Sequence, residues 1–411
     1  MKAGICRFFN VRMPHMPSTV YQQAYPKLSG FYFFYFTLFG AVIPYISLYY
    51  QSLGMDAIQI GQLMAVFVGT KVFAPNLLGW LADKTGKTIY WLRWMGLMTL
   101  VSAIGFLFLH SFSGLLLTVF FFSFFFHSAL PLFESYTFLS LSGRKERYGQ
   151  IRLWGSIGFI AAVMGVGWQL QHFADEGYAF YPWVLLGASG IVLLTMFWVK
   201  ETSDVTGQKA KKQSEQPLAF NMIIRQPWVI SLLLVTILAQ FSHGAYYSFY
   251  SIFLEEHGFD KTAIAWLWSI GVIAEIFVFF FMPWLFRSFS VKHLLILSLL
   301  LTLMRWSMIP YVVDSIGLLV LAQTFHAASY GLFHAAAIHL IDEHFHGVNR
   351  SRGQAIYASL SHGLGGGIGM LVAGYAWQSG GATLAFGISA MSIVFALFIT
   401  QKWVQSNHYK P

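Results

Sequence analysis

The chain has 411 residues, 57% of them hydrophobic and only 10% charged, with 41 Phe, 20 Tyr and 14 Trp. A soluble domain carries about 25% charged residues, so this composition excludes an ordinary water-soluble globule. The net charge of +9 does not imply nucleic acid as a partner, because in so apolar a chain Lys and Arg report loops on the cytoplasmic side of a bilayer.

Residues 1–27 carry Lys2, Arg7, Arg12 and Lys27 without an apolar run or a small-residue cleavage site, so a cytoplasmic segment is expected rather than a signal peptide. The lone cysteine, Cys6, falls in this segment and implies no disulfide framework. Apolar runs then recur at 28–53, 58–82, 88–110, 112–140, 151–172, 180–199, 227–254, 262–286, 293–312, 314–341, 353–378 and 381–404. Each approaches the roughly 20 residues that a helix needs to cross a hydrocarbon core of about 30 Å. The pattern predicts an all-α membrane protein of twelve transmembrane helices.

The connecting segments support that number. With the N-terminus placed in the cytoplasm, the segments on that side hold 21 of the 25 Lys and Arg, whereas the opposite loops, among them QSLGMD, QHFADEG and EEHGFDK, hold only Lys261. One missed or spurious span would scramble this asymmetry. Residues 201–226 are rich in Lys, Gln and Ser and form a cytoplasmic linker, with a short amphipathic helix expected at its end. They separate a six-helix half at 28–200 from a second at 227–404, followed by a tail at 405–411. Two such halves imply a duplicated transporter with its ligand site between them, near the midplane. The glycine-rich fifth and eleventh spans, GSIGFIAAVMGVGW and HGLGGGIGMLVAGYAW, hold corresponding places in the two halves and suit close helix packing or a hinge.

Ionisable residues inside the spans are the candidates for function, since a charge at the bilayer centre costs about 2.5–3.5 kcal/mol on insertion scales. Lys71 lies mid-way along the second span. Glu134 and Arg152 occupy consecutive spans and are expected to pair. Glu275 stands alone in IAWLWSIGVIAEIFVFFFMPWLF, Arg305 sits mid-way along the ninth span and His326 in the tenth. His243 and Tyr247 fall on one helical face and form a candidate aromatic pocket. His339 and Glu343 have i, i+4 metal spacing, but His334, His344 and His346 run toward the membrane edge, and structural titrating residues are the simpler reading. There is no P-loop, nucleotide fingerprint or nucleophile motif, so neither a cofactor nor an enzyme activity is expected.

In GWLADKTGK, Gly79 is expected to end the second span and Gly86 to permit a tight turn between helices, and the segment, with Asp83, resembles the signature loop between the second and third helices of the major facilitator superfamily. YGQIRLWGSIGF and HGAYYSFYSIFLEEHGFDKTAIAWLWSIGVIAEIFVFF resemble the phenylpropionate transporter group of that superfamily. More distantly, Glu134 with Arg152, and Glu275 with Arg305 and His326, resemble the charged sites of lactose-permease-like sugar–proton symporters. The resemblance implies alternating access, a conformational role for Gly79, Asp83 and Gly86, substrate at Glu134 and Arg152, and proton coupling at Glu275, Arg305 and His326. Two departures stand out. The sugar symporters have an acid one turn after their histidine, where this chain has Ser329, and they lack a base like Lys71.

The expectation is therefore a monomeric proton symporter in a bacterial inner membrane, with both termini cytoplasmic. Lys71 favours a carboxylate as substrate and the resemblance implies an aromatic one, bound by Lys71, Glu134, Arg152, His243 and Tyr247. A sugar or nucleoside is the alternative. A non-transporting sensor or a metal-dependent membrane enzyme is the alternative of another class. Glu275 is expected to pair with Arg305.

Overall fold

The computed structural model describes residues 18–141, 145–173, 177–200, 220–347 and 349–405. Most of the linker expected at 201–226, the first seventeen residues and the end of the tail lie outside this range. Among the described residues every regular element is helical. Ten helical stretches are long and apolar enough to cross a bilayer. We number the spans α1 (Ala24–Ser52), α2 (Ala57–Thr85), α3 (Thr88–Phe108), α4 (Phe112–Ser140), α5 (Arg147–His172), α6 (Tyr181–Phe197), α7 (Pro227–Glu256), α8 (Lys261–Ser288), α9 (Val291–Tyr311) and α10 (Ile316–His344). The remaining stretch, Asn349–Trp403, breaks at Gly380 and Gly381 and supplies α11 (349–379) and α12 (382–403). With α6, the short apolar helix of 17 residues, the total is the twelve that the apolar runs predict. The expected short helix at the linker end is present as Phe220–Ile224.

In lipid each backbone group must be satisfied within its own segment, which is why an apolar chain of this length resolves into helices and nothing else. Large apolar side chains point outward all round the bundle. Phe108 is 73% exposed and Phe280 71%, and Trp183 and Phe281 are also open. An aqueous surface would not tolerate so continuous an apolar belt. The chain is an integral, multi-pass membrane protein.

Helix starts follow the sequence closely. Asp56 accepts from the Gln59 amide at 2.8 Å while Gln59 accepts from the Asp56 amide at 3.1 Å, a complete capping box at the start of α2. Asp260 caps α8 through the Ala263 amide. The end of α2 departs from expectation. Gly79 does not terminate it; the helix runs on through Asp83 to Thr85, and Gly86 closes it at φ 68°. That left-handed cap is one that glycine adopts without strain.

Inside the bundle, buried tyrosines tie helix to helix. Tyr45 donates to the Val163 carbonyl at 2.6 Å, Tyr49 to Phe106 at 2.8 Å and Tyr181 to Ala41 at 2.8 Å. Across the middle of the molecule α2 packs along α11 and α5 along α8. Both seams include close contacts at the end away from the linker, here called the distal end, and α2 meets α11 again at Val72 and Gly363. A Cβ built on Gly61 of α2 would lie 2.7 Å from Gly374 Cα of α11, so this crossing is backbone against backbone. Polar contacts reinforce the distal end. The Lys261 amide donates to Gln171 Oε1 at 3.0 Å, Tyr178 donates to Glu255 at 3.4 Å, and Lys261 pairs with Glu255. Toward the linker end the centre of the molecule stays open: Glu134 and Arg152 keep 32% and 34% of their side chains exposed, although both lie inside the bundle.

The Gly61–Gly374 crossing yields a prediction. Gly374→Leu overpacks the contact, a change that costs about 1–3 kcal/mol in packed cores. Exchange transport in vesicles is expected to fall about tenfold or more while membrane insertion is unchanged; an unaltered exchange rate would show that this crossing is not needed in its closed form.

Candidate functional site

The helices around the central cavity are interrupted where they carry polar groups. α2 tightens to a 3₁₀ turn at Thr70–Val72, followed by Pro75 in the first turn of its next segment, which cannot donate to the preceding turn. That turn carries Lys71. α7 breaks at His243, between Ser242 and Gly244. α10 and α11 widen to π-helix at Ala327–Leu332 and Ala358–Gly365. Such irregularities recur at functional sites because they redirect side chains and free backbone groups.

On the first-half side, Arg152 Nε lies 3.9 Å from Glu134 Oε1, and Tyr148 donates to the same oxygen at 2.9 Å. The guanidinium covers the Phe36 ring at 4.0 Å. The expected acid–base pair of α4 and α5 is thus present. Lys71 is different. Its ammonium lies 5.6 Å from the Phe39 ring, and none of the ion pairs between described residues includes it. Behind it, Thr70 bonds Ser123 and His127 at 3.1 Å each.

On the second-half side, Arg305 is fully buried. Its guanidinium donates to His326 Nδ1 at 3.1 Å, Ser329 Oγ at 3.0 Å and Gln323 Oε1 at 3.0 Å, and covers the Tyr246 ring at 4.1 Å. The expected Glu275–Arg305 pair is not what forms. His326 stands between them, its Nε2 at 3.6 Å from Glu275 Oε2. A guanidinium can only donate, so His326 Nδ1 must accept, and the ring proton resides on Nε2 facing the carboxylate. Adding a second proton would set one N–H against another. Arg305 thereby holds His326 neutral and aimed at Glu275. Gly331 of α10 permits this approach: a Cβ there would meet Glu275 Cγ at 2.9 Å.

The two sides share one space. Arg152 of α5 lies within electrostatic reach of Glu275, Tyr330 and His334. His243, by contrast, is buried at 1% exposure, bonds the Ala239 carbonyl at 2.8 Å and packs its ring on Trp306 and Tyr247. Tyr247 remains half-buried at the cavity edge. The other histidines of α10 do not gather: His334 bonds Tyr357, His339 stacks on Phe286 and His344 lies on Trp228. No group of three or more possible metal ligands occurs among the described residues.

Twelve helices with the α2–α11 and α5–α8 seams and a charged cavity between them are now joined by sequence comparison. The family model of the MFS_1 like family matches residues 25–388. The chain belongs to this family of major facilitator transporters. It is 28% identical over 385 residues to a probable 3-phenylpropionic acid transporter of Escherichia coli, covering 91% of this chain and 97% of that one. It is also 28% identical to the maltose permease of Geobacillus stearothermophilus over 389 residues, 90% of this chain and 93% of that protein. The crystal structure of the nucleoside transporter NupG superposes with a TM-score of 0.77 at 19% identity, covering 92% of this chain and 98% of the other.

In this MFS_1-like transporter several site residues escape a reading based on charge. Gln323 joins three groups, accepting from Arg305 and Tyr246 and donating to Tyr250 at 2.7 Å. Tyr330 and His362 lie inside the π segments, where a helical period assigns them to the wrong faces, and Tyr357 immediately precedes the second. A neutral amide or phenol carries no cost signal of the kind that singles out Arg305.

The contrast between buried Arg305 and the half-open Glu134–Arg152 pair is testable. Arg305→Met orphans buried acceptors, each worth about 1–3 kcal/mol, so thermal stability in detergent is expected to fall by at least about 3 kcal/mol. Glu134→Gln, at a half-open pair, is expected to shift stability by less than about 1 kcal/mol. The reverse order would make Glu134–Arg152 the structural clamp.

Proposed function

We propose that this transporter is a proton symporter of a small organic carboxylate with an aromatic body, working by alternating access between its two six-helix halves. The observation that carries the reading is Lys71, a cation inside the bundle that no carboxylate pairs among the described residues. Among the described residues, Lys71, Arg152, Glu134 and Glu275 border the cavity, and Arg305 lies fully buried behind His326. Arg152 has Glu134, and Arg305 has a neutral His326 that relays its field to Glu275. Lys71 is left for the substrate, and an anion is the partner that its desolvation demands. Phe39 beside Lys71, and the neighbouring Phe36 ring under Arg152, suit a substrate with an apolar ring. The relative named for 3-phenylpropionic acid fits this chemistry. A sugar is the second reading, favoured by the likeness to a maltose permease.

Glu275 is the proton carrier in this account. The His326 Nε2–H faces it at 3.6 Å with Arg305 on the other side of the ring, so the carboxylate has a proton turned toward it but no cation in contact. His326 cannot serve in its place, because Arg305 occupies its second nitrogen. Proton and substrate binding are then linked through one cavity, and such linkage is reciprocal.

The orientation follows the Lys and Arg distribution: both termini and the linker face the cytoplasm of a bacterial inner membrane, and the distal end faces out. With Cys6→Ser as background, an impermeant thiol reagent applied to intact cells is expected to label Ser52→Cys and to spare Lys212→Cys; the opposite pattern inverts the orientation.

Coupling and substrate class are tested in proteoliposomes. Glu275→Gln mimics the protonated state, so uphill accumulation driven by a pH gradient is expected to vanish while counterflow exchange, which needs no net proton movement, persists. Accumulation by that variant would remove Glu275 from the proton's route. Lys71→Gln is expected to raise the half-saturating concentration of an aromatic carboxylate at least tenfold in counterflow. If instead a sugar or nucleoside exchanges and Lys71→Gln leaves its affinity unchanged, the carboxylate reading fails.

A further inference from the structure

A proton carried by Glu275 must reach water, and His326 does not offer the way out. Along α10, positions 326, 330 and 334 follow at intervals of four, and their rings lie nearly parallel: His326 to Tyr330 at 5.6 Å and 7°, Tyr330 to His334 at 6.2 Å and 9°. α11 adds two more rings. Tyr357 OH meets His334 Nδ1 at 2.9 Å, and His362 lies 5.7 Å from the His334 ring, 5.6 Å from Tyr357 and 6.3 Å from Tyr330. Tyr330 sits within one π segment and His362 within the other. Two wide turns on neighbouring helices thus present one group of phenols and imidazoles, none of which the Lys71 or Glu275 roles employ.

The group begins at the carboxylate. Gly331 brings Glu275 Cγ against α10 beside Tyr330, and the two groups interact electrostatically. It continues toward the linker end, since α10 runs from Ile316 to His344 and the rings follow that direction. Tyr330, His334 and His362 are each half-buried, so they border the open cavity.

We propose that Tyr330, His334, Tyr357 and His362 form a proton path from Glu275 to the water at the linker end. The inference rests on the reading of Glu275 as proton carrier and deepens it. A phenol accepts a proton on oxygen as it gives up its own, and an imidazole accepts on one nitrogen and releases from the other, so the proton count balances without any other reactant. Apart from the His334–Tyr357 contact no hydrogen bond joins these rings, so the path requires bridging water between them. The charges that act on this path come from every side. His334 faces Tyr357 and His362 of α11 and senses Arg152 of α5. His362 senses Lys71 of α2 and His243 of α7. Tyr330 senses Glu275 of α8, and Arg152 with Glu134 of the first half. Basic groups thus look onto the path from α2 and α5, and carboxylates from α4 and α8.

The test uses the full-length transporter in vesicles loaded with a pH-reporting dye, with the transported carboxylate added outside. In Tyr330→Phe and in His334→Gln, substrate-triggered proton movement is expected to slow at least tenfold, counterflow affinity to stay within about twofold, and added free imidazole to restore part of the proton rate. A structural defect would lower both rates together and would not respond to imidazole, and that outcome overturns the proposal. So does an unchanged proton rate in both variants, or a tenfold loss of counterflow affinity, which would make the rings part of the substrate wall. Glu275→Gln is measured alongside. If it still accumulates substrate, the fault lies with the carrier assignment and not with the path.

Discussion

The hydrogen bonds of Arg305 are the constraint on which the second half of the site depends. A guanidinium enclosed among Gln323, Ser329, His326 and the Tyr246 ring has no direct carboxylate, and it is tolerated because each of those acceptors is aimed at it. The arrangement also settles the state of its neighbours. His326 has one nitrogen committed and therefore one proton, placed toward Glu275. Gln323 has its carbonyl committed, so its amide must donate, which it does to Tyr250. One cation thus orders a chain of neutral groups across α7, α9 and α10 that ends on the His326 nitrogen facing Glu275.

The rest of the fold serves to place two such sets of charges on opposite walls of one cavity. Small residues let α2 and α11 touch through their backbones at the distal end, and the Tyr178, Glu255 and Lys261 contacts close the same end with polar groups. Polar closure and backbone closure differ in kind. The first can be exchanged for water when the halves part, whereas the second demands that no side chain intrude. An end held by both can open without unfolding either half.

The architecture was largely legible in the sequence, and for a physical reason. Helices that must satisfy their own backbone in lipid show as apolar runs, and the Lys and Arg asymmetry checks their number. The charged residues were equally visible because each is costly. Glu134 meets Arg152 as expected. The partner of Glu275 was not legible: a histidine interposed between acid and base has no signature in spacing, and Glu275, Arg305 and His326 lie on three different helices. Gly79 was misjudged because glycine is a poor helix former in water, yet in a membrane helix the surrounding segment carries it through to Thr85. His243 drew notice as a polar residue in an apolar span, but its Nδ1 is satisfied by the preceding turn of α7 and the ring lies inside the packing. Tyr330 and His362 were hidden by the π turns themselves, which break the period that a sequence reading follows.

Those two turns give the site a way to change that point substitutions lack. A π segment holds an extra residue in its turn, so removing one residue from Ala327–Leu332 would restore ordinary α geometry without a break in the helix. Because the wide turn absorbs that residue locally, the helix beyond it would keep its facing, and His334 with the apolar core around it would stay in place. Only the side chains within the turn, Tyr330 among them, would be redirected. Single-residue gains and losses at these positions are therefore a route by which relatives of one architecture can present different walls to different solutes.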